Sequence, residues 1–232
     1  MVAENVRNIR RQINEVCVKI NRKPDTITLI AVAKTFGSGL IRDAVSAGIC
    51  DIGENYVQEL NQKHQELENE QIRWHFIGHL QRNKVKYILP WIQSIHSVDS
   101  VRLGEEISRE AGKTNRSIDI FVEVNTTGEE SKFGVPPEKA GTLVKELKRL
   151  PNINLTGLMT IGRFGDPEES RPPFQTLRSL QQDMERDGIR LPHLSMGMTN
   201  DFKIAIEEGA TMIRIGTAIF GKRIYLKNKT YE

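Results

Sequence analysis

Ile27-Thr28-Leu29-Ile30-Ala31-Val32-Ala33-Lys34-Thr35 is the stretch on which the fold turns. A continuous apolar run of strand length, with no polar alternation, reads as a strand buried on both faces, as in a parallel sheet. It ends in an ammonium. Lysine is among the residues least often fully buried, and an amine withdrawn from water favours its neutral, nucleophilic form. Such an amine can attack a carbonyl to form a Schiff base. A lone strand-end lysine commonly just reaches solvent, so the rest of the chain has to decide.

Working outward from Lys34, short apolar runs alternate with helical stretches. Strands are predicted at 27–33, 49–52, 74–77, 94–98, 118–124, 154–159, 193–195 and 212–215, and helices at about 40–47, 55–69, 81–89, 100–112, 136–149, 174–187 and 201–208. Eight strands joined by helices imply parallel pairing with right-handed crossovers, and closure removes both sheet edges. The expected fold is therefore α/β, a (β/α)8 TIM barrel. An open doubly wound sheet would need a Gly-rich dinucleotide turn after its first strand, and Gly37-Ser38-Gly39 lacks the GxGxxG spacing. Before the barrel, Val2, Val6, Ile9, Ile13, Val16 and Ile20 recur at alternating spacings of four and three, which predicts an additional N-terminal helix, expected to cover the bottom of the domain. Arg171-Pro172-Pro173 reads as a loop entering the sixth barrel helix.

Composition narrows the function classes. The 232 residues suit a single domain, 1–232, and the net charge of +3 comes from 33 basic and 30 acidic residues dispersed along the chain. A duplex binder shows a clustered basic face. Here only Lys222, Arg223, Lys227 and Lys229 concentrate charge, and they read as a solvated tail, so no nucleic acid is expected. No stretch reaches membrane-span length and the polar start is no signal peptide, so the expectation is no membrane and a cytoplasmic location. Cys17 and Cys50 have no CxxC spacing or nearby His pair; both read as small core residues in a reducing compartment, with no metal site.

In a barrel of this type the functional groups stand at the C-terminal strand ends. Those ends offer Lys34, Gly53-Glu54-Asn55-Tyr56, Gly78-His79-Leu80-Gln81, Asp99, Asn125, Met159, Ser195-Met196-Gly197-Met198-Thr199 and Arg214-Ile215-Gly216-Thr217. The last two segments read as phosphate cradles, because hydroxyls and glycines precede short helical runs whose first N–H groups are unpaired. Each also fits an ordinary helix cap or turn. Arg214 is harder to dismiss, since a guanidinium pointing inward from a buried strand must find an acceptor. A buried lysine, a phosphate cradle and an inward arginine together suggest an aldehyde-bearing phosphate.

The segments Ala31-Val32-Ala33-Lys34-Thr35, Gly53 to Leu60, Trp74 to Gln81, Ser97-Val98-Asp99-Ser100, Leu194 to Met198 and Arg214 to Gly221 resemble the pyridoxal phosphate homeostasis protein family, the YggS/PROSC-type proteins, over about Met1 to Arg223. The resemblance implies a barrel similar to the alanine racemase N-terminal domain (fold type III), holding pyridoxal 5′-phosphate as an internal aldimine on Lys34. It further implies that Arg214 faces the pyridine nitrogen, that Ser195, Thr199, Gly216 and Thr217 bind the phosphate, and that Asn55, His79 and Met159 line the ring. The chain departs from the pattern at Phe36-Gly37-Ser38-Gly39, where a proline usually follows the lysine-threonine pair, and at Thr199, where serine is usual and a hydroxyl is kept.

The same parts could build an enzyme, so two further readings stand beside the cofactor carrier. A racemase or decarboxylase needs an acid or base poised at the substrate α-carbon, and the eight barrel units leave no residues for the added β domain of barrel-type racemases. A permanent cation beside the pyridine nitrogen also weakens the ring as an electron sink, although racemases tolerate such an arginine. The expected function is a monomeric cofactor carrier or buffer in pyridoxal phosphate homeostasis, without robust catalysis. Amino acids, as external aldimines, and pyridoxal-phosphate-dependent apoenzymes are its candidate partners. A racemase of weak or narrow activity is the alternative, and a cofactor-free lysine aldolase explains the cradle but not the motifs. Lys132, in Glu130-Ser131-Lys132-Phe133-Gly134, is a second candidate amine near the mouth.

Overall fold

The first helix, α1 (Val2–Lys19), buries Val2, Val6, Ile9, Ile13, Val16 and Cys17 along one stripe, as its periodicity predicts, while Ile20 caps it half-exposed. A computed structural model describes residues 1–222; Arg223, Lys227 and Lys229 lie outside the described residues. After α1 come β1 (Thr28–Val32), α2 (Ser38–Ser46), β2 (Asp51–Glu54), α3 (Val57–Glu66), β3 (Arg73–Phe76), a 3₁₀ turn (Arg82–Tyr87), β4 (Ser94–Val98), α4 (Val101–Lys113), β5 (Ile118–Glu123) and α5 (Pro137–Leu147). The chain continues through β6 (Ile153–Met159), α6 (Arg171–Arg186), β7 (His193–Ser195), α7 (Phe202–Glu207), β8 (Met212–Ile215) and α8 (Thr217–Phe220). The strands pair in parallel in the order β1 to β8 and close β8 on β1 into the barrel the sequence predicts.

Four local expectations change. Helix α1 does not cover the bottom of the barrel; it packs against α2, α7 and α8. The reason is that α8 has only four residues, too few to cover the seam between β8 and β1, and α1 fills that place in the outer layer. Helix α6 starts at Arg171, three residues early, because prolines fit a first helical turn whose N–H groups have no partner in any case. Residues 82–87 form a 3₁₀ turn rather than a regular helix. Cys50 is exposed, not core, since it precedes β2 at the lower rim; Cys17 is fully buried, and both are free thiols.

The strands carry different chemistry on their two faces. Ile52, Phe76, Ile95, Leu194 and Ile213 point outward onto the helices and are at most 1% exposed. Their neighbours Asp51, His75, Ser94, His96, Ser195 and Arg214 point inward, and all are buried. Among the described residues no helix is long and apolar enough to cross a membrane.

Candidate functional site at the barrel mouth

Beyond β1 the chain makes a tight turn, with Thr35 at φ +69° directly after the half-buried Lys34. A buried ion cluster holds that turn. Lys63 of α3 donates from Nζ to the Ala33 carbonyl at 2.8 Å, to Glu54 Oε1 at 2.5 Å and to Glu59 Oε2 at 2.7 Å. Glu59 Oε2 also accepts the Thr35 N–H at 2.9 Å, and Glu54 Oε2 accepts that of Asn55 at 3.2 Å. Burial pushes the Glu54 carboxyl up to about 7 against the pull of Lys63. Sequence reading missed this cluster; the Glu59/Lys63 spacing of four on one helix face was its available signal.

Lys34, Asn55, Thr199, Arg214, Gly216 and Thr217 line one cavity of about 260 Å³, together with Val32, Ile77, Ile161, Arg163, Phe164, Met198, Asn200 and Asp201. Six of the nine predicted residues thus converge. A hollow of about 430 Å³ opens at the opposite end, near α1 and the start of β2, and holds none of them. Asn55 Oδ1 is buried and accepts no hydrogen bond. The loop after β7 is shaped by Asp201, which accepts the Met198 N–H at 2.6 Å and the Ser170 hydroxyl at 3.0 Å. Gly197 there has φ +92°, and a Cβ would stand 2.5 Å from that of Ala205, so glycine is required twice over. The Thr217 hydroxyl reaches that of Thr199 at 3.4 Å, tying the loops after β7 and β8 together.

Arg214 finds the acceptors that its inward direction demands. Nη1 donates to Ser195 Oγ at 2.7 Å and Nη2 to the Thr160 carbonyl at 2.9 Å. Burial lowers the guanidinium to about 10, with Glu123 and Asp201 opposing the shift, so it remains a cation at neutral pH. Glu123, inward at the end of β5, is pushed up to about 7 by burial and by nearby Asp99.

Three predicted residues stand outside the cavity lining. Ser195 is fully buried with its hydroxyl engaged by Arg214 and by His96, the latter at 2.8 Å. Met159 is buried within the barrel, level with Ser195 and Glu123. His79 is drawn aside by Phe133, on which it stacks at 4.1 Å between ring centroids, and its Nδ1 lies 3.9 Å from Asp99. The Lys132 ammonium donates to Glu129 at 2.6 Å and to the Gly162 carbonyl at 2.8 Å, bracing the loops after β5 and β6. Among the described residues no group of three or more His, Cys, Asp or Glu is placed to hold a metal ion.

Comparison with known proteins gives consistent matches. The family model described as alanine racemase, N-terminal domain, matches residues 3–224. A pyridoxal phosphate homeostasis protein of Aquifex aeolicus (strain VF5) is 42% identical, covering 96% of this chain and 98% of its own. One of Pseudomonas aeruginosa is 39% identical, covering 97% and 96%. The structure of PipY of Synechococcus elongatus PCC7942 with PLP bound is similar at a TM-score of 0.84 and 33% identity, covering 95% of this chain and all of that one.

Proposed function

Because the chain belongs to the pyridoxal phosphate homeostasis protein family, within the alanine racemase N-terminal domain fold, we propose that it binds pyridoxal 5′-phosphate at the barrel mouth and serves in homeostasis of that cofactor. The observation that carries this reading is the meeting of Lys34, Arg214, Thr199, Gly216 and Thr217 on one cavity that also holds the unpaired, buried Asn55 Oδ1. A buried acceptor without a partner costs about 1–3 kcal/mol, and a polar ligand relieves that cost. Thr199, Gly216 and Thr217 would hold the phosphate, Asn55 the ring substituents, and Arg214 the pyridine nitrogen. Bound there, pyridoxal phosphate supplies an electrophilic aldehyde to the Lys34 amine. The turn held by Lys63 and Glu59 fixes where that amine stands.

Arg214 supports a carrier over a catalyst. A cation at neutral pH despite its burial, because the shift leaves it near 10 and Glu123 and Asp201 oppose it, Arg214 opposes protonation of a pyridine nitrogen beside it, and so limits how well the ring withdraws electrons. Ser195 then serves by positioning Arg214 rather than by touching phosphate. A carrier without robust catalysis, monomeric, cytoplasmic, acting as one domain over residues 1–232 and exchanging cofactor with amino acids or apoenzymes, completes the proposal.

The test is borohydride reduction of the protein loaded with pyridoxal phosphate, followed by peptide mapping. The label should fall on Lys34; a dominant label on Lys84, Lys132 or Lys203 would overturn the assignment. Lys34→Ala should still bind pyridoxal phosphate in equilibrium dialysis and bind unphosphorylated pyridoxal far more weakly, since several charge-assisted hydrogen bonds of about 1.5–3 kcal/mol each hold the phosphate. Equal affinity would move the phosphate site elsewhere. Racemisation of alanine on the order of 1 per second or faster would favour the racemase reading instead.

A further inference from the structure

An unbroken series of hydrogen bonds runs through the barrel from the mouth to the floor. Arg214 Nη1 donates to Ser195 Oγ at 2.7 Å, and that oxygen lies 2.8 Å from His96 Nδ1. His96 Nε2 lies 2.8 Å from Ser94 Oγ, and Ser94 Oγ lies 2.6 Å from His75 Nδ1. His75 Nε2 meets Asp51 Oδ1 at 2.9 Å, and Arg73 grips Asp51 from the rim with two bonds, at 2.8 and 2.6 Å. All five residues between Arg214 and Arg73 are buried.

The chemistry of the two ends fixes the direction. A guanidinium only donates and a carboxylate only accepts. With Arg214 donating to Ser195, the hydroxyl proton of Ser195 is free for His96 Nδ1. His96 is then protonated on Nε2 and donates to Ser94, Ser94 donates to His75 Nδ1, and the Nε2 proton of His75 goes to Asp51. Every proton has one acceptor. The opposite direction requires a doubly protonated His75 and leaves the fully buried Ser195 hydroxyl proton without a place in the series. Burial, reinforced by His75, Arg214 and His193 nearby, holds His96 well below the usual histidine range and so keeps it neutral. Phe121, stacked on His96 at 4.1 Å, fixes the ring plane.

We propose that Ser195, His96, Ser94, His75 and Asp51 form a one-way hydrogen-bond chain that sets the orientation of Arg214 from the far end of the barrel. They are positioning residues. One terminal nitrogen of Arg214 is committed to the chain and the other to Thr160, so the plane of the guanidinium facing the cavity is fixed before any ligand arrives. The effect on cofactor binding rests on the function proposed above, whereas the proton pattern does not.

The cofactor-free protein, labelled with ¹⁵N, tests the chain through its long-range imidazole correlations. His75 and His96 should both be neutral and protonated on Nε2 at pH 7. An imidazolium, or a proton on Nδ1, at either ring would overturn the proposal. Ser94→Ala, remote from the cavity, should then disturb the imidazole pattern of both histidines. It should also raise the dissociation constant for pyridoxal phosphate about three- to tenfold, the usual worth of one lost hydrogen bond. Unchanged affinity in a folded Ser94→Ala protein would refute the positioning role, and if that variant does not fold, the wild-type proton pattern still decides the chain. Failure of the wild-type protein to bind pyridoxal phosphate would refute the function while leaving the imidazole result intact.

Discussion

Outward from the barrel strands, Ile52, Phe76, Ile95, Leu194 and Ile213 meet the helices as plain hydrocarbon; inward, one residue away along the same strands, stand Asp51, His75, Ser94, His96, Ser195 and Arg214. The outward face gains by removing apolar area from water, a term indifferent to direction. The polar groups of the inward face gain nothing that way: each costs free energy until a partner satisfies it. The first face makes a barrel, and the second makes this barrel's particular site. Near the mouth the division is broken where Glu54 turns out of the strand toward Lys63 of α3.

That exception should show the largest effect. Lys63→Met leaves Glu54 and Glu59 buried without their cation and should cost about 3–5 kcal/mol by urea unfolding. A cost under about 1 kcal/mol would mean that the cluster behaves like a surface pair. On the apolar face, Ile95→Ala should cost about 2–5 kcal/mol yet leave the imidazole pattern of His96 unchanged. A changed pattern would show that the two faces are not separable.

Glu123 sharpens the comparison through pH. Its folded carboxyl keeps a proton up to about 7, whereas the unfolded one loses it near the ordinary glutamate value of 4.5. Between these values the folded state binds more protons, so this group's contribution to stability is present at low pH and is lost as pH rises through that window. Glu123→Gln should therefore flatten the decline and be about 2 kcal/mol more stable than the parent at pH 8. A parallel pH profile for the two proteins would contradict it. The two thiols close the comparison: the buried Cys17→Ser should cost about 1–3 kcal/mol, comparable to Glu123→Gln, and the exposed Cys50→Ser should give the smallest effect, less than about 0.5 kcal/mol, both read from thermal unfolding.

The outward face was legible from sequence because it sets the rhythm of apolar runs: all eight strands overlap the runs that rhythm gives, although β2 lies two residues later, at Asp51–Glu54 rather than 49–52. Lys34, Asn55, Thr199, Arg214, Gly216 and Thr217 were legible because a parallel barrel brings its strand ends to one rim. What could not be read depends on side-chain direction and on partners far along the chain. Nothing in Gly78-His79 announces Phe133, 54 residues later, and nothing in His193-Leu194-Ser195 announces His96. The polar alternation in Arg73-Trp74-His75-Phe76 and Ser94-Ile95-His96 was the available clue to the inward series, since a strand apolar on both faces would not carry it.

Helix α1 has a kinetic consequence. Asn5 donates from Nδ2 to the Ile219 carbonyl at 2.9 Å, across 214 positions of sequence. The helix that seals the seam thus precedes every strand of the barrel, and its neighbours α7 and α8 follow β7 and β8. Contacts of such separation demand that a long loop be closed before they return any stabilisation. Until that closure, β1 and β8 are open edges, free to pair with other chains. During synthesis the amphipathic stripe of Val2, Val6, Ile9, Ile13 and Val16 meets α2 early but must wait until the barrel strands are made for α7 and α8, which makes the nascent chain, more than the finished barrel, the form most exposed to aggregation.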